Sequence, residues 1–205
     1  MEEGILELNG LSVEILDKLS YKSNLGINLK RNIHYFEKDK LLNELFAMAD
    51  WIDEQEILSE IALDYRVKSM ESIIGKYERY CPDHQVRKVF NDTLGFRAFC
   101  DGYDDVLKLE TKEIFHVADM SCGKSEDDGY RGVHLYFQKD NFHYPIEIQF
   151  NTLYDRQLNN WLHEYLYKRN YPNEIGEKIR YEYEAGKIKD VKQFEEVLKN
   201  VLSSR

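Results

Sequence analysis

The sequence predicts an α+β fold, a mixed β-sheet flanked by helices drawn from both ends of the chain. Three observations lead there. Residues 129–150 alternate apolar and polar side chains in two runs joined by Asp140-Asn141, the period of paired strands around a turn. Upstream of that hairpin, short strand-like runs alternate with helical ones. After Thr152 apolar residues recur only at helical spacing. Strands interleaved with helices and closed by a helical tail describe a single layered domain over residues 1–205. Its core is expected over about 40–170.

Composition narrows the class. The chain has 205 residues, of which 42% are hydrophobic and 13% aromatic, enough for one sizeable core and too ordered a mixture for a disordered chain. No apolar run reaches the length of a membrane span, and Met1-Glu2-Glu3 does not open a secretory signal. Cys81, Cys100 and Cys122 are odd in number and widely spaced, which suits free thiols in a reducing compartment and gives no zinc pattern. A cytoplasmic location, away from membrane, is the expectation. The net charge of −10 makes the whole molecule a poor non-specific binder of nucleic acid, so any phosphate contact must come from local basic patches.

The elements follow in order. Helices are expected over 12–20 and 37–58, the second carrying Leu41, Leu42, Leu45, Met48, Ala49 and Ile52 at helical spacing. Between them, Tyr21 to Lys40 holds Lys22, Lys30, Arg31, Lys38 and Lys40 against two acids, a solvated surface or a grip for a polyanion. A short strand from Ala62 ends near Lys68, followed by a helix to about Tyr80. Val89 to Cys100 reads as a strand, 103–110 as a helix, 113–119 as a strand and 120–130 as a polar loop. In the hairpin, His134, Tyr136 and Gln138 share one face and Val133, Leu135 and Phe137 the other. Likewise Ile146, Ile148 and Phe150 oppose Glu147 and Gln149. Alone, Glu147 reads first as a solvent-facing carboxylate. Two apolar stripes follow, Leu158 to Leu166 and Val191 to Leu202, with Pro172 separating them.

Three constellations carry chemistry. Arg66 and Lys68 share one face of a strand end, while Ser72, Lys76 and Arg79 share one helix stripe, with Ile73, Ile74 and Tyr77 on the buried side. Cations converging from a strand and its following helix suit a triphosphate, and arginine's flat fork also stacks on a base. The bland reading is an ordinary basic helix face. Asp92-Thr-Leu-Gly95-Phe-Arg97 is either turn chemistry or a metal ligand beside a nucleotide. Gly129-Tyr130, leading to His134 and then Glu147-Ile-Gln149, offers a stacking ring beside a carboxylate.

In this order the motifs R-x-K-x₃-S-x₃-K, D-x-x-G-x-R, G-Y-x₃-H, E-I-Q and H-x₃-Y-K (His163, Tyr167, Lys168) resemble the synthetase domain of the RelA/SpoT family over roughly residues 40–170. The resemblance implies a nucleotidyltransferase-like fold and transfer of the β,γ-pyrophosphate of ATP to a ribose 3′-hydroxyl. By position it implies that Arg66 and Arg97 sandwich adenine, and that Lys68, Ser72, Lys76 and Arg79 hold the phosphates. It further implies that Asp92 and Glu147 hold Mg²⁺, that Tyr130 stacks on the acceptor base, and that His134 and Gln149 line the acceptor side. The chain has no His-Asp dipeptide, so the expected kinship is with short members lacking the hydrolase domain. Two such types exist, small alarmone synthetases that use GDP or GTP and toxins that modify the tRNA 3′ end.

The sequence departs from the synthetase pattern in two places. Asn151 stands where an arginine is usual, and the Pro-Lys before Gly-Tyr is missing, with only Lys124 nearby and Glu126, Asp127 and Asp128 preceding Gly129. Fewer cations around the acceptor would weaken a free GDP or GTP more than a polynucleotide held elsewhere. The expectation is therefore a toxin that modifies the tRNA 3′ end, with Lys30 and Arg31 as the grip on tRNA and an antitoxin protein as a candidate partner. The alternatives are a GDP/GTP-using alarmone synthetase and an inactive nucleotide-binding regulator.

Overall fold

The computed structural model describes residues 4–169 and 171–203. Its sheet is built from β1 (Asp64–Val67), β2 (Leu94–Phe99), β3 (Phe115–Met120), β4 (Gly132–Phe137) and β5 (Ile146–Asn151), in the spatial order β1-β2-β5-β4-β3. The sheet is mixed and flanked by helices, as the sequence predicts. β1 pairs antiparallel with β2, setting Arg66 opposite Gly95 and Asp64 opposite Arg97. The hairpin strands are neighbours, and their alternation holds: Val133, Leu135, Phe137, Ile146, Ile148 and Phe150 are all buried.

The chain divides into two compact units. The first comprises Met1–Ala98, Asp105–Val117 and His134–Gln149; the second comprises Phe99–Asp104, Ala118–Val133 and Phe150–Arg205. In the first unit, helix α1 (Ile5–Leu8) precedes α2 (Val13–Lys18), whose N-cap Ser12 accepts the Ile15 N–H at 3.3 Å. Helix α3 (Lys38–Asp53) buries Leu41, Leu45, Met48 and Ile52 completely on one stripe. Helix α4 (Met70–Tyr80) starts at Ser69, whose hydroxyl accepts the Ser72 N–H. A helical turn, α5 (Val86–Val89), leads into β2, and the short α6 (Asp104–Leu107) follows it. Buried Glu44 of α3 accepts hydrogen bonds from the Ser23 hydroxyl (2.6 Å), the Asn24 N–H (2.6 Å) and the Tyr144 hydroxyl (2.9 Å). One carboxylate thus ties the N-terminal segment to the loop between β4 and β5.

In the second unit, α7 (Leu153–Tyr165), α8 (Asn173–Glu184) and α9 (Val191–Ser203) pack around Leu158, Leu162, Ile175, Ile179, Phe194 and Leu198. Thr152 caps α7 by accepting the Asp155 N–H at 3.1 Å.

Several boundaries differ from the sequence reading. The helix expected over 37–58 ends at Asp53, and a separate 3₁₀ turn spans Glu56–Glu60. The strand expected from Val89 begins only at Leu94, because Asn91, Asp92 and Thr93 form a turn in which the Thr93 hydroxyl bonds the Phe90 carbonyl at 3.4 Å. The helix expected over 103–110 is α6 plus a 3₁₀ turn. Pro172 does not simply separate the two stripes: it caps a further helix, α8, which lies in the stretch read as helical but is neither of those stripes. Ile74, expected on the buried side of α4, is 36% exposed.

Because Leu45 is fully enclosed, Leu45→Ala removes its apolar contacts and leaves a cavity. Urea unfolding should show a loss of about 2–5 kcal/mol; a loss under about 0.5 kcal/mol would mean that α3 does not anchor the first unit.

Candidate functional site

The turn that delays β2 places Asp92 where three cations meet it. Lys68, just past β1, bonds its Oδ2; Lys76, on α4, donates to Oδ1 at 2.9 Å and to the Val89 carbonyl at 3.1 Å; the Arg66 guanidinium lies 3.9 Å away. Asp92 is only 9% exposed. Burial pushes its pKa up, but Lys76 and Lys68 outweigh burial and leave it below the ordinary carboxylate range. Lys68 is lowered, first by burial and further by the neighbouring charges of Lys76 and Arg66, with Asp92 pulling the other way. A salt-bridged lysine would ordinarily rise. One carboxylate shared among three cations leaves positive charge uncompensated, and a polyanion is the complement that relieves it.

Ser72 and Arg79 lie on the same helix as Lys76 and are exposed, Ser72 in its first turn, where helix N–H groups favour phosphate oxygens. Arg97 is exposed on β2. In the antiparallel register Arg66 and Arg97 are diagonal neighbours on one face, a separation of about 7–8 Å that admits a flat ring between two guanidinium planes.

Glu147 is not a solvent-facing carboxylate. It is 4% exposed, with Oε1 3.1 Å from both His134 Nδ1 and the Tyr136 hydroxyl, and Oε2 accepting from Gln149 Nε2 at 2.7 Å. Gly95 makes room for it: a Cβ there would stand 3.3 Å from Oε2. Burial raises the Glu147 pKa, but the His134 hydrogen bond and charge and the Gln149 donor outweigh burial and the repulsion from Asp92, leaving it lowered. Arg66, Lys68, Lys76, Asp92, His134, Glu147 and Gln149 are thus brought together in the first unit. Among the described residues no group of three or more His, Cys, Asp or Glu side chains could hold a metal ion. Two ionised carboxylates nevertheless match the chemistry of Mg²⁺, which takes hard oxygen donors and usually only one or two from protein.

Lys30 and Arg31 have different surroundings. Arg31 lies over the Tyr35 ring at 5.2 Å, whereas Lys30 borders a separate groove. Of the other basic residues in that segment, Lys38 lies over the Tyr77 ring and Lys40 pairs with Glu37.

Tyr130 belongs to the second unit. Its ring carries Lys124 at 5.1 Å, and its hydroxyl folds back over Gly132, where a Cβ would stand 2.8 Å from it. Lys124 also pairs with Asp128 at 2.5 Å, and Arg131 forks onto Asp127 at 2.7 and 2.8 Å. Two of the three acids before Gly129, Asp127 and Asp128, are thus each paired with a cation, and Lys124 reaches Tyr130 despite its shifted place in the sequence. Asn151, standing where arginine is usual, donates to the Arg131 carbonyl at 2.8 Å.

Sequence reasoning missed what holds this turn. Arg180 of α8, 2% exposed, donates to the Gly129 carbonyl (2.8 Å) and Asp155 Oδ1 (2.7 Å). Asn159 brackets Arg131 through its N–H (3.2 Å) and carbonyl (2.7 Å). Gly176 lets α8 approach, since a Cβ there would meet the Asp128 carbonyl oxygen at 1.9 Å. Of the H-x₃-Y-K residues, Tyr167 donates to the Asp128 carbonyl at 3.2 Å. The available signal was an arginine on the apolar stripe of Ile175, Ile179 and Tyr183.

Residues 65–172, more than half of the chain, match the family described as the region found in RelA/SpoT proteins. No curated protein matches. Among solved structures, the small alarmone synthetase 1 of Bacillus subtilis bound to its product pppGpp is 22% identical, covering 71% of this chain and 80% of its own, with a TM-score of 0.43. The small alarmone synthetase 2 of Bacillus subtilis is 20% identical over 82% of this chain and 91% of its own, at 0.38. A GTP pyrophosphokinase family protein from Streptococcus pneumoniae is 20% identical over 80% and 84%, at 0.40.

Removing the Arg180 side chain leaves Asp155 buried without its cation. Arg180→Met should therefore cost about 3–5 kcal/mol in chemical denaturation. A protein of unchanged stability would show that the Gly129–Arg131 turn is held by other means.

Proposed function

Because the chain belongs to the RelA/SpoT family, we propose that it is a pyrophosphokinase that moves the β,γ-pyrophosphate of ATP to the 3′-hydroxyl of GDP or GTP. The observation that carries the reading is the Asp92 carboxylate shared by Lys68, Lys76 and Arg66 beside buried Glu147. In the reaction the 3′-oxygen bonds the β-phosphorus and loses its proton, ultimately to solvent, while the bond from the β-phosphorus to the α,β-bridging oxygen breaks and AMP leaves. Such a transfer is mostly positioning and charge stabilisation. Arg66 and Arg97 stack on adenine, and Lys68, Lys76, Ser72 and Arg79 hold the phosphates in line. Asp92 and Glu147 would hold Mg²⁺, which when bound offsets charge on the phosphate oxygens. The lowered pKa of Glu147 suits a group that holds positive charge and orients the attacking hydroxyl, and makes it a weak proton acceptor.

For the acceptor, the pairing of Asp127 with Arg131 and of Asp128 with Lys124, whose ammonium also lies over the Tyr130 ring, supports a free guanosine 5′-di- or triphosphate, because these ion pairs offset most of the acidic charge before Gly129. Tyr130 is its base platform, with His134 and Gln149 on the acceptor side. A second reading, a tRNA 3′ end in a toxin with its antitoxin, is favoured by one observation, the position of Lys30 in a cationic groove.

The reaction is tested by incubating the protein with γ-³²P-ATP and GDP, GTP or bulk tRNA. The labelled species is expected to be GDP or GTP. In Glu147→Gln, labelling should fall by about two orders of magnitude or more with the fold retained, the scale seen when a transition-state electrostatic group is removed; near-normal turnover would remove Glu147 from the mechanism.

Arg97→Lys keeps the charge and loses the flat stacking surface. Calorimetry should show ATP affinity weakened by about 1 kcal/mol, roughly fivefold. An unchanged dissociation constant would mean that adenine lies elsewhere.

A further inference from the structure

The first unit has a groove of about 630 Å³, lined by Lys30, Arg87, Lys88, His116, Tyr136 and Gln138 among others. Residues far apart in sequence are stitched together there by backbone hydrogen bonds. The Leu29 N–H donates to the Asn141 carbonyl (2.9 Å), the Arg87 N–H to the Leu29 carbonyl (3.0 Å), and the Val86 N–H to the Arg31 carbonyl (3.1 Å). The segment around Lys30 is thereby clamped between α5 and the β4–β5 loop. Among the described residues, none of Lys30, Arg87 and Lys88 forms an ion pair. Arg87 is aimed by amides instead, Gln85 at 3.1 Å and Gln138 at 3.5 Å. Glu113 and Asp140 also border the groove, and Asp140 is engaged by His143 at 2.8 Å. Three cations without carboxylate partners on one concave surface are unusual in a chain of net charge −10.

The groove also has flat surfaces and a link to the site. The His116 and Tyr136 rings are stacked, 6.2 Å apart at 24°. The Tyr136 hydroxyl donates to Glu147 Oε1 at 3.1 Å, so one ring spans from the groove to the carboxylate. In a ribonucleotide the 3′-hydroxyl and the 5′-phosphate lie only a few bonds apart across the same sugar. A ribose whose 3′-oxygen faces Glu147 can therefore set its 5′-phosphate among Lys30, Arg87 and Lys88.

We propose that this groove holds the phosphate on the 5′ side of the acceptor's ribose, an inference that rests on the pyrophosphokinase reading above. The chemistry is shared by the 5′-diphosphate of a free nucleotide and the last phosphodiester of an RNA 3′ end. Which source the groove takes follows from binding measured directly, without turnover. The full-length protein, saturated with a non-hydrolysable ATP analogue so that the Asp92 cradle is filled, is titrated with GDP, guanosine and a tRNA acceptor-stem minihelix. Wild type is compared with Lys30→Gln/Lys88→Gln and with Lys192→Gln/Lys199→Gln, an exposed control for net charge.

GDP should bind more tightly than guanosine in the wild type. The groove variant should lose roughly tenfold or more in GDP affinity, the scale of charge-assisted phosphate contacts. It should keep its affinity for the ATP analogue and its thermal midpoint. A loss confined to the minihelix would equally support the groove and identify RNA as the source. Equal affinities in wild type and groove variant, an equal loss in the control, or no binding of either ligand by the wild type would overturn the proposal. Groove-dependent binding with no labelled product from any acceptor would instead sink the pyrophosphokinase reading and leave the phosphate site standing.

Discussion

The site depends on one buried carboxylate that is outnumbered by its cations. Asp92 compensates Lys68, Lys76 and Arg66 only in part, and each of the four residues comes from a different piece of chain: β1, the residue after it, α4 and the turn before β2. Opposite charges taken out of water stabilise little in net terms, because desolvation offsets their attraction. This arrangement is therefore better understood as preparation for a ligand than as a device of stability. The pKa of Lys68 is depressed first by burial, which the Asp92 contact offsets only in part, with Lys76 and Arg66 adding to the shift. A bound polyphosphate would supply the missing negative charge.

Glu147, on β5, completes the arrangement. It is buried yet ionised because three side chains surround it, His134 and Tyr136 from β4 and Gln149 from its own strand. Gly95 on β2 leaves the space into which the carboxylate leans. In the second unit, Arg180, Asn159 and Gly176 fix the turn that carries Tyr130, so the C-terminal helices do more than lengthen the chain.

Much of this was legible in the sequence, for physical reasons. Strand alternation separated Glu147 and Gln149 from Ile146, Ile148 and Phe150, and helical spacing put Ser72, Lys76 and Arg79 on one stripe beside buried Ile73 and Tyr77. The register of β1 on β2 was not legible, nor was the turn at Asn91-Asp92-Thr93, because Val89, Phe90 and Leu94 imitate a strand that local hydrogen bonding interrupts. Helix α8 was not separated from the rest of the helical tail, because Pro172 reads as a stop when it also starts a helix. The pairing within the acidic loop escaped too: side chains that pair across four residues, Asp127 with Arg131 and Lys124 with Asp128, look like uncompensated acids when counted along the chain. That miscount had favoured a polynucleotide acceptor.

The central claim is that the cations around Asp92 form a polyphosphate site. The most direct measurement compares the dissociation constants of a non-hydrolysable ATP analogue and AMP, in the wild type and in Lys68→Gln/Lys76→Gln. The analogue should bind the wild type at least about tenfold more tightly than AMP, as expected for a further charge-assisted phosphate contact, and the double variant should abolish that preference while AMP binding persists. Equal affinity of AMP and the analogue for the wild type, or a preference that survives in the double variant, would contradict the account.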